Sequence, residues 1–227
     1  MVSMSGLHAL SAELHAGMLT LAFACIMIVV ASQIVVRLRK RMPKRFVGWA
    51  ITARGYAEPA GYVAAILGVL ALVLSAWTGM YAWPMDKLME LDLVKNKILL
   101  TAYSTILWSG VIFIRTRFGR ALWTCPYMVW VYVGLAAIAF GMIAVAGCMG
   151  SLITRGESLL EPVYEFVGID IEKAFEMTPD LAAGITLASM LIVIVSMIVA
   201  RWKNLFDVVL APETCQKIFN WDEPKLY

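Results

Sequence analysis

Only two histidines, His8 and His15, occur in the 227 residues, and they are the groups best able to do chemistry. If the segment is helical, a spacing of seven puts them on one face about 10 Å apart, too far to share one metal on a straight helix. A bend near Ser11 would bring them together, with Glu13 between them as a third copper or zinc ligand. Met1, Met4 and Met18 add thioethers of the kind copper(I) accepts. Two readings stand: a haem b or copper site built on His15 with His8, or both histidines as caps and helix–helix hydrogen-bond partners at a membrane edge. The spacing favours the second.

The four cysteines form no C-x-x-C pair and no C-x-x-C-H. Cys25 and Cys148 fall in apolar runs, and Cys125 and Cys215 at or beyond the edge that carries most basic residues. No disulfide framework is implied, and Cys215 is expected to be the accessible thiol. G-x-S-x-G, P-loop and H-E-x-x-H motifs are absent, so no catalytic residue is assigned.

The chain that positions these groups is 61% apolar and 15% charged, with a mean hydropathy of +0.79. Soluble domains are about 45–50% apolar and about 25% charged. These values exclude a soluble enzyme domain, a disordered tail and a nucleic-acid partner, and they make the lipid bilayer the solvent. Crossing a hydrocarbon core of about 30 Å takes about 20 apolar residues. Five such spans can be drawn: Ala12–Val36, Gly61–Trp83, Ile98–Ile114, Pro126–Ile153 and Leu181–Ala200. Phe23–Val30 and Leu191–Val199 are apolar on every side, unlike the alternating residues of a membrane strand. The expected fold is therefore all-α, a polytopic membrane helix bundle with five transmembrane helices over residues 1–201, followed by a cytoplasmic amphipathic extension and tail over 202–227.

Basic residues set the orientation. The connector after the first span holds Arg37, Arg39, Lys40, Arg41, Lys44, Arg45 and Arg54, the one after the third Arg115, Arg117 and Arg120, and the tail Arg201, Lys203, Lys217 and Lys225. Acids dominate the other side, among them Glu157, Glu161, Glu165, Asp170, Glu172 and Glu176. The N-terminus is expected outside and the C-terminus in the cytoplasm, in a cell membrane. No basic n-region precedes the first span, which reads as a retained anchor. The acidic outer connector, Thr154–Asp180, with short interfacial helices beginning at Leu159 and Ile171, is mainly a solvated face and could also dock a basic soluble partner.

No Asp, Glu, Lys or Arg falls in the middle of any span, which argues against an ion-coupled transporter or channel. Small side chains mark packing seams instead. Gly134, Ala137, Gly141, Ala144 and Cys148 recur every three or four residues in the fourth span, and Gly68, Ala71, Ser75 and Gly79 form a similar ridge in the second. Thr101, Ser104, Thr105 and Ser109 share a face of the third. In the tail, Phe219, Trp221 and Tyr227 stand among charges, a pattern suited to burial against another subunit.

Leu7-His8-Ala9-Leu10 and Leu14-His15-Ala16 at the first span, Ser75-Ala76-Trp77-Thr78-Gly79 in the second and Gly147-Cys148-Met149-Gly150 closing the fourth resemble a family of small bacterial and archaeal membrane proteins of unknown function. That family has four spans and an entry motif of the form L-H-P-x-x-V-H-F-P. The resemblance covers about residues 7–153, and Lys95-Asn96-Lys97 stands where the family opens its third span with a histidine. It implies topology more than chemistry. The expected function is a non-catalytic accessory or anchoring subunit of a larger membrane complex, such as a respiratory or other membrane oxidoreductase assembly. A haem or copper electron-transfer protein is the first alternative and a small-solute transporter or channel the second.

Overall fold

The computed structural model describes residues 3–84, 90–158 and 160–168. Among them every regular element is helical: α1 (Met4–Arg37), α2 (Lys44–Ala82), α3 (Asp92–Phe118), a 3-10 turn (Gly119–Thr124), α4 (Pro126–Arg155) and the short α5 (Glu161–Val167). The first four helices are long and apolar enough to cross a membrane. The expected fifth span, Leu181–Ala200, and the tail with Phe219, Trp221 and Tyr227 lie outside the described residues.

Local sequence sets the ends. Ser3 caps α1, its Oγ accepting from the Gly6 N–H at 3.1 Å. Asp92 lies in the first turn of α3 and Arg115 and Arg117 in the last, each with the sign the helix dipole favours. Pro126 opens α4, where its missing N–H costs nothing, and Gly156 at φ +76° closes it by donating to the Leu152 carbonyl at 3.0 Å.

The helices outrun the apolar segments. At about 1.5 Å per residue, the 34 residues of α1 reach about 51 Å and the 39 of α2 about 58 Å, well beyond a core of about 30 Å. Thus α1 starts eight residues before the first expected span, and α2 begins at Lys44 rather than Gly61. Lys44, Arg45 and Arg54, expected in a connector, are helical. Helix formation needs only backbone hydrogen bonds and a tolerable propensity, so hydropathy marks where a helix meets lipid and not where it ends.

Two antiparallel hairpins, α1 with α2 and α3 with α4, join through α2–α3 and α1–α4 contacts. One core runs between them, around Leu19, Ala22, Val29, Trp108, Ala136 and Ala139. The α2 ridge faces α1. A Cβ at Gly61 would stand 2.7 Å from Cys25 Cβ and one at Gly68 2.5 Å from Leu19 Cδ2, so the glycines set the helix separation.

On α4 the structure uses a different stripe from the expected one. Tyr132, Ala136, Ala139, Ile143, Ala146 and Met149 are buried, whereas Gly134, Ala137 and Gly141 are exposed and Ala144 is half-buried. Nothing lies within 4 Å of a Cβ built at Gly134 or Gly141. Both stripes are rich in small residues, and α3 takes the one where Ala139 lets Ser104 Oγ donate to its carbonyl at 2.8 Å. The other hydroxyls of α3 turn back on their own helix, Thr105 to Thr101 O and Ser109 to Thr105 O.

Candidate functional site

Polar groups gather at the two ends of the bundle, separated by the apolar core. At the N-terminal end His8 Nδ1 lies 2.8 Å from the Ser75 carbonyl and His15 Nδ1 lies 3.1 Å from the Ser11 carbonyl. A carbonyl only accepts, so both Nδ1 atoms carry a proton, and a neutral ring in this arrangement keeps its lone pair on Nε2. The His8 ring stands edge-on to Trp83, centroids 5.1 Å apart, and lies over Gly79, where a Cβ would come within 3.0 Å of Cε1. Ser11 and Thr78, both buried, complete the α1–α2 contact with hydroxyls 3.4 Å apart.

The structure does not gather His8, Glu13 and His15 into one ligand set. The helix α1 is unbroken through Ser11, running from Met4 to Arg37. Glu13 is exposed, and two residues of helix turn it about 200° from His15. Among the described residues, no three His, Cys, Asp or Glu side chains are placed to hold a metal ion. Instead, Lys97 of α3 comes within electrostatic reach of His15. Beside it Asn96 is buried, its Nδ2 without a partner.

The opposite end carries a charged cluster that hydropathy overlooks. Glu58 of α2 pairs with Arg115 of α3 through both Nε and a terminal guanidinium nitrogen, with side chains 8% and 14% exposed. The Arg115 guanidinium lies 5.3 Å above the Tyr62 ring, and the Tyr62 and Thr116 hydroxyls are 2.7 Å apart. Gln33 reaches across from α1 to donate to the Trp123 carbonyl at 3.0 Å, and Trp123 packs edge-on against Tyr132. The spacing Arg54, Glu58, Tyr62 is i, i+4, i+8, one face of a helix. This signal is visible once α2 is known to begin before the apolar run.

Cys125 is disulfide-bonded, which corrects the expectation that no disulfide is implied; Cys25 and Cys148 are free, and Cys215 lies outside the described residues. Spacing along the chain carries no information on pairing without a motif. At the C-terminal end of α4, Ser151 and Arg155 line a cleft of about 540 Å³ with Glu157, Ser158, Glu161, Pro162 and Glu165, so part of the acidic connector collects around one arginine. Comparison with family models, curated proteins and solved structures finds no match for this chain.

Proposed function

We propose that this protein is a non-catalytic accessory or anchoring subunit of a larger membrane complex, such as a membrane oxidoreductase assembly. The observation that carries the reading is the unused stripe of α4. Gly134, Ala137 and Gly141 form a shallow groove flanked by exposed Val131 and Ile138. Lipid chains gain little from such a groove, whereas a helix gains close backbone approach. The α3 and α4 apolar windows are only 22% buried, against 39% for α1 and α2, so the second hairpin has more surface to offer. The apolar core between the two polar ends supports assembly over solute passage. In this reading the basic α1–α2 connector faces the cytoplasm of a cell membrane and the acidic α4–α5 cleft faces outward, where it suits a basic soluble partner. Purification in mild detergent followed by native mass spectrometry is the test. Co-purifying subunits in fixed ratio are expected, and a stable isolated monomer overturns the reading.

A second reading has one observation in its favour. A histidine that binds metal commonly donates its other ring N–H to a carbonyl, which fixes the tautomer, and His8 and His15 both do so. A b-type haem or a copper ion on either free Nε2 would make an electron-transfer protein. An optical spectrum with metal analysis decides it, since a preparation with neither a Soret band nor stoichiometric copper eliminates this class.

A further inference from the structure

The two hairpins are of unequal length. Gln33 of α1 bonds the Trp123 carbonyl in the turn between α3 and α4, and Glu58 of α2 pairs with Arg115 near the end of α3. These contacts mark the level at which the second hairpin stops. From Glu58, α2 runs fourteen residues back to Lys44, about 21 Å, whereas α3 ends three residues past Arg115, about 5 Å. The α1–α2 tip thus stands roughly 15 Å beyond the α3–α4 turn. Val36 of α1 and Ala50 of α2 are buried, so the helices stay paired out to the tip. Arg115, Arg117 and Arg120 mark the membrane edge on this side, and the headgroup layer adds only about 5–7 Å.

A hairpin tip in water has no need of large apolar side chains, yet Phe46 is 57% exposed and Trp49 71%. Their rings lie 6.3 Å apart. With exposed Tyr56 they fall within about 80° of one face of α2. Tyr56, two residues from Glu58, stands at headgroup level, where an aromatic anchor is ordinary. Trp49 and Phe46 stand about 14 and 18 Å past Glu58, above that belt. Around them, residues 37–57 hold seven basic residues and no Asp or Glu. Arg39, Lys40, Arg41, Lys44 and Arg45 are all exposed. An aromatic centre with a rim of one charge is the composition of a protein interface whose partner supplies the opposite charge.

We propose that the α1–α2 tip is a docking surface for a soluble protein with an acidic face, with Phe46 and Trp49 as anchor and the surrounding arginines and lysines as rim. Its height above the headgroups favours a protein over the lipid of the same membrane. The chain's own residues 201–227 carry four acids and four bases and offer no net charge complement. This surface lies at the opposite end of the bundle from the α4–α5 cleft and does not use the exposed stripe of α4. It stands or falls separately from the accessory-subunit reading.

The test places p-benzoylphenylalanine at position 49 of the full chain in its native membrane, with adducts identified by mass spectrometry. One soluble polypeptide with an acidic surface is expected. Purified, it should bind the chain in phosphatidylcholine nanodiscs, and Trp49→Ala, which alters no charge and so leaves membrane orientation alone, should weaken that binding about thirtyfold. Association should slow about tenfold or more between about 0.1 M and about 1 M salt. Tyr81→Ala, exposed at the other end of α2, should bind as the wild type does, and circular dichroism confirms that both variants remain helical. The proposal is overturned if position 49 forms no adduct, or forms adducts only with lipid or with residues 201–227. It is equally overturned if folded Trp49→Ala binds as tightly as the wild type, or if salt leaves association unchanged.

Discussion

Replacing Glu58 by Gln tests whether the α2–α3 contact rests on a buried charge pair. The carboxylate is 8% exposed and the Arg115 guanidinium 14%, so removing one charge leaves the other without its partner in a poorly hydrated place. Breaking such a pair costs about 3–5 kcal/mol, whereas replacing both members by apolar residues of similar volume is often neutral or stabilising. For a chain of this size about 1 kcal/mol corresponds to about 2–4 °C in Tm, which puts the single variant roughly 10 °C below the wild type. Arg115→Met should fall by a similar amount. The double variant Glu58→Met/Arg115→Met should recover most of the loss, although Arg115 also covers the Tyr62 ring. Thermal unfolding in one detergent, followed by circular dichroism, measures all four corners of the cycle. If both single variants stay within about 2 °C of the wild type, Arg115 reaches water on its own and the pair does not hold the hairpins together. If the losses simply add in the double variant, the two residues act independently and the reasoning fails.

The glycines of α2 and α4 should respond oppositely. Gly68→Ala places a methyl 2.5 Å from Leu19 Cδ2 and should lower stability by about 1–3 kcal/mol, while Gly141→Ala meets nothing within 4 Å and should leave the isolated chain unchanged or more stable by up to about 1 kcal/mol; chemical or thermal unfolding reads both. Ser104→Ala removes the hydroxyl that donates to Ala139 O and should cost about 0.5–1.5 kcal/mol in the same assay. Cys125 should resist alkylation until a reductant is added, whereas unfolding alone should expose Cys25 and Cys148.

The apolar runs made the helical membrane architecture legible, because a segment such as Phe23–Val30 has no polar face and can satisfy its backbone in lipid only as a helix. Helix ends were less legible. Lys44–Ala60 carries charges and glycines, so hydropathy reads it as connector, yet α2 runs through it, Pro59 included. Which face of a helix packs was legible on α2, where the ridge of Gly68, Ala71, Ser75 and Gly79 is the one turned to α1. It was not legible on α4, where Ala136, Ala139 and Ala146 compete with Gly134, Ala137 and Gly141. The polar groups were half visible. His8 and His15 stand out as the only histidines, but Lys97, which comes within electrostatic reach of His15, lies more than eighty residues away and is joined to it only by the fold.

Photo-crosslinking in the native membrane bears most directly on assembly, with a photoreactive residue placed at Ala137 on the uncovered stripe of α4. The account predicts an adduct with a second polypeptide, the same one that co-purifies in fixed ratio with the chain. Adducts confined to lipid, or to this chain's own residues beyond Gly168 at monomer mass, would contradict it.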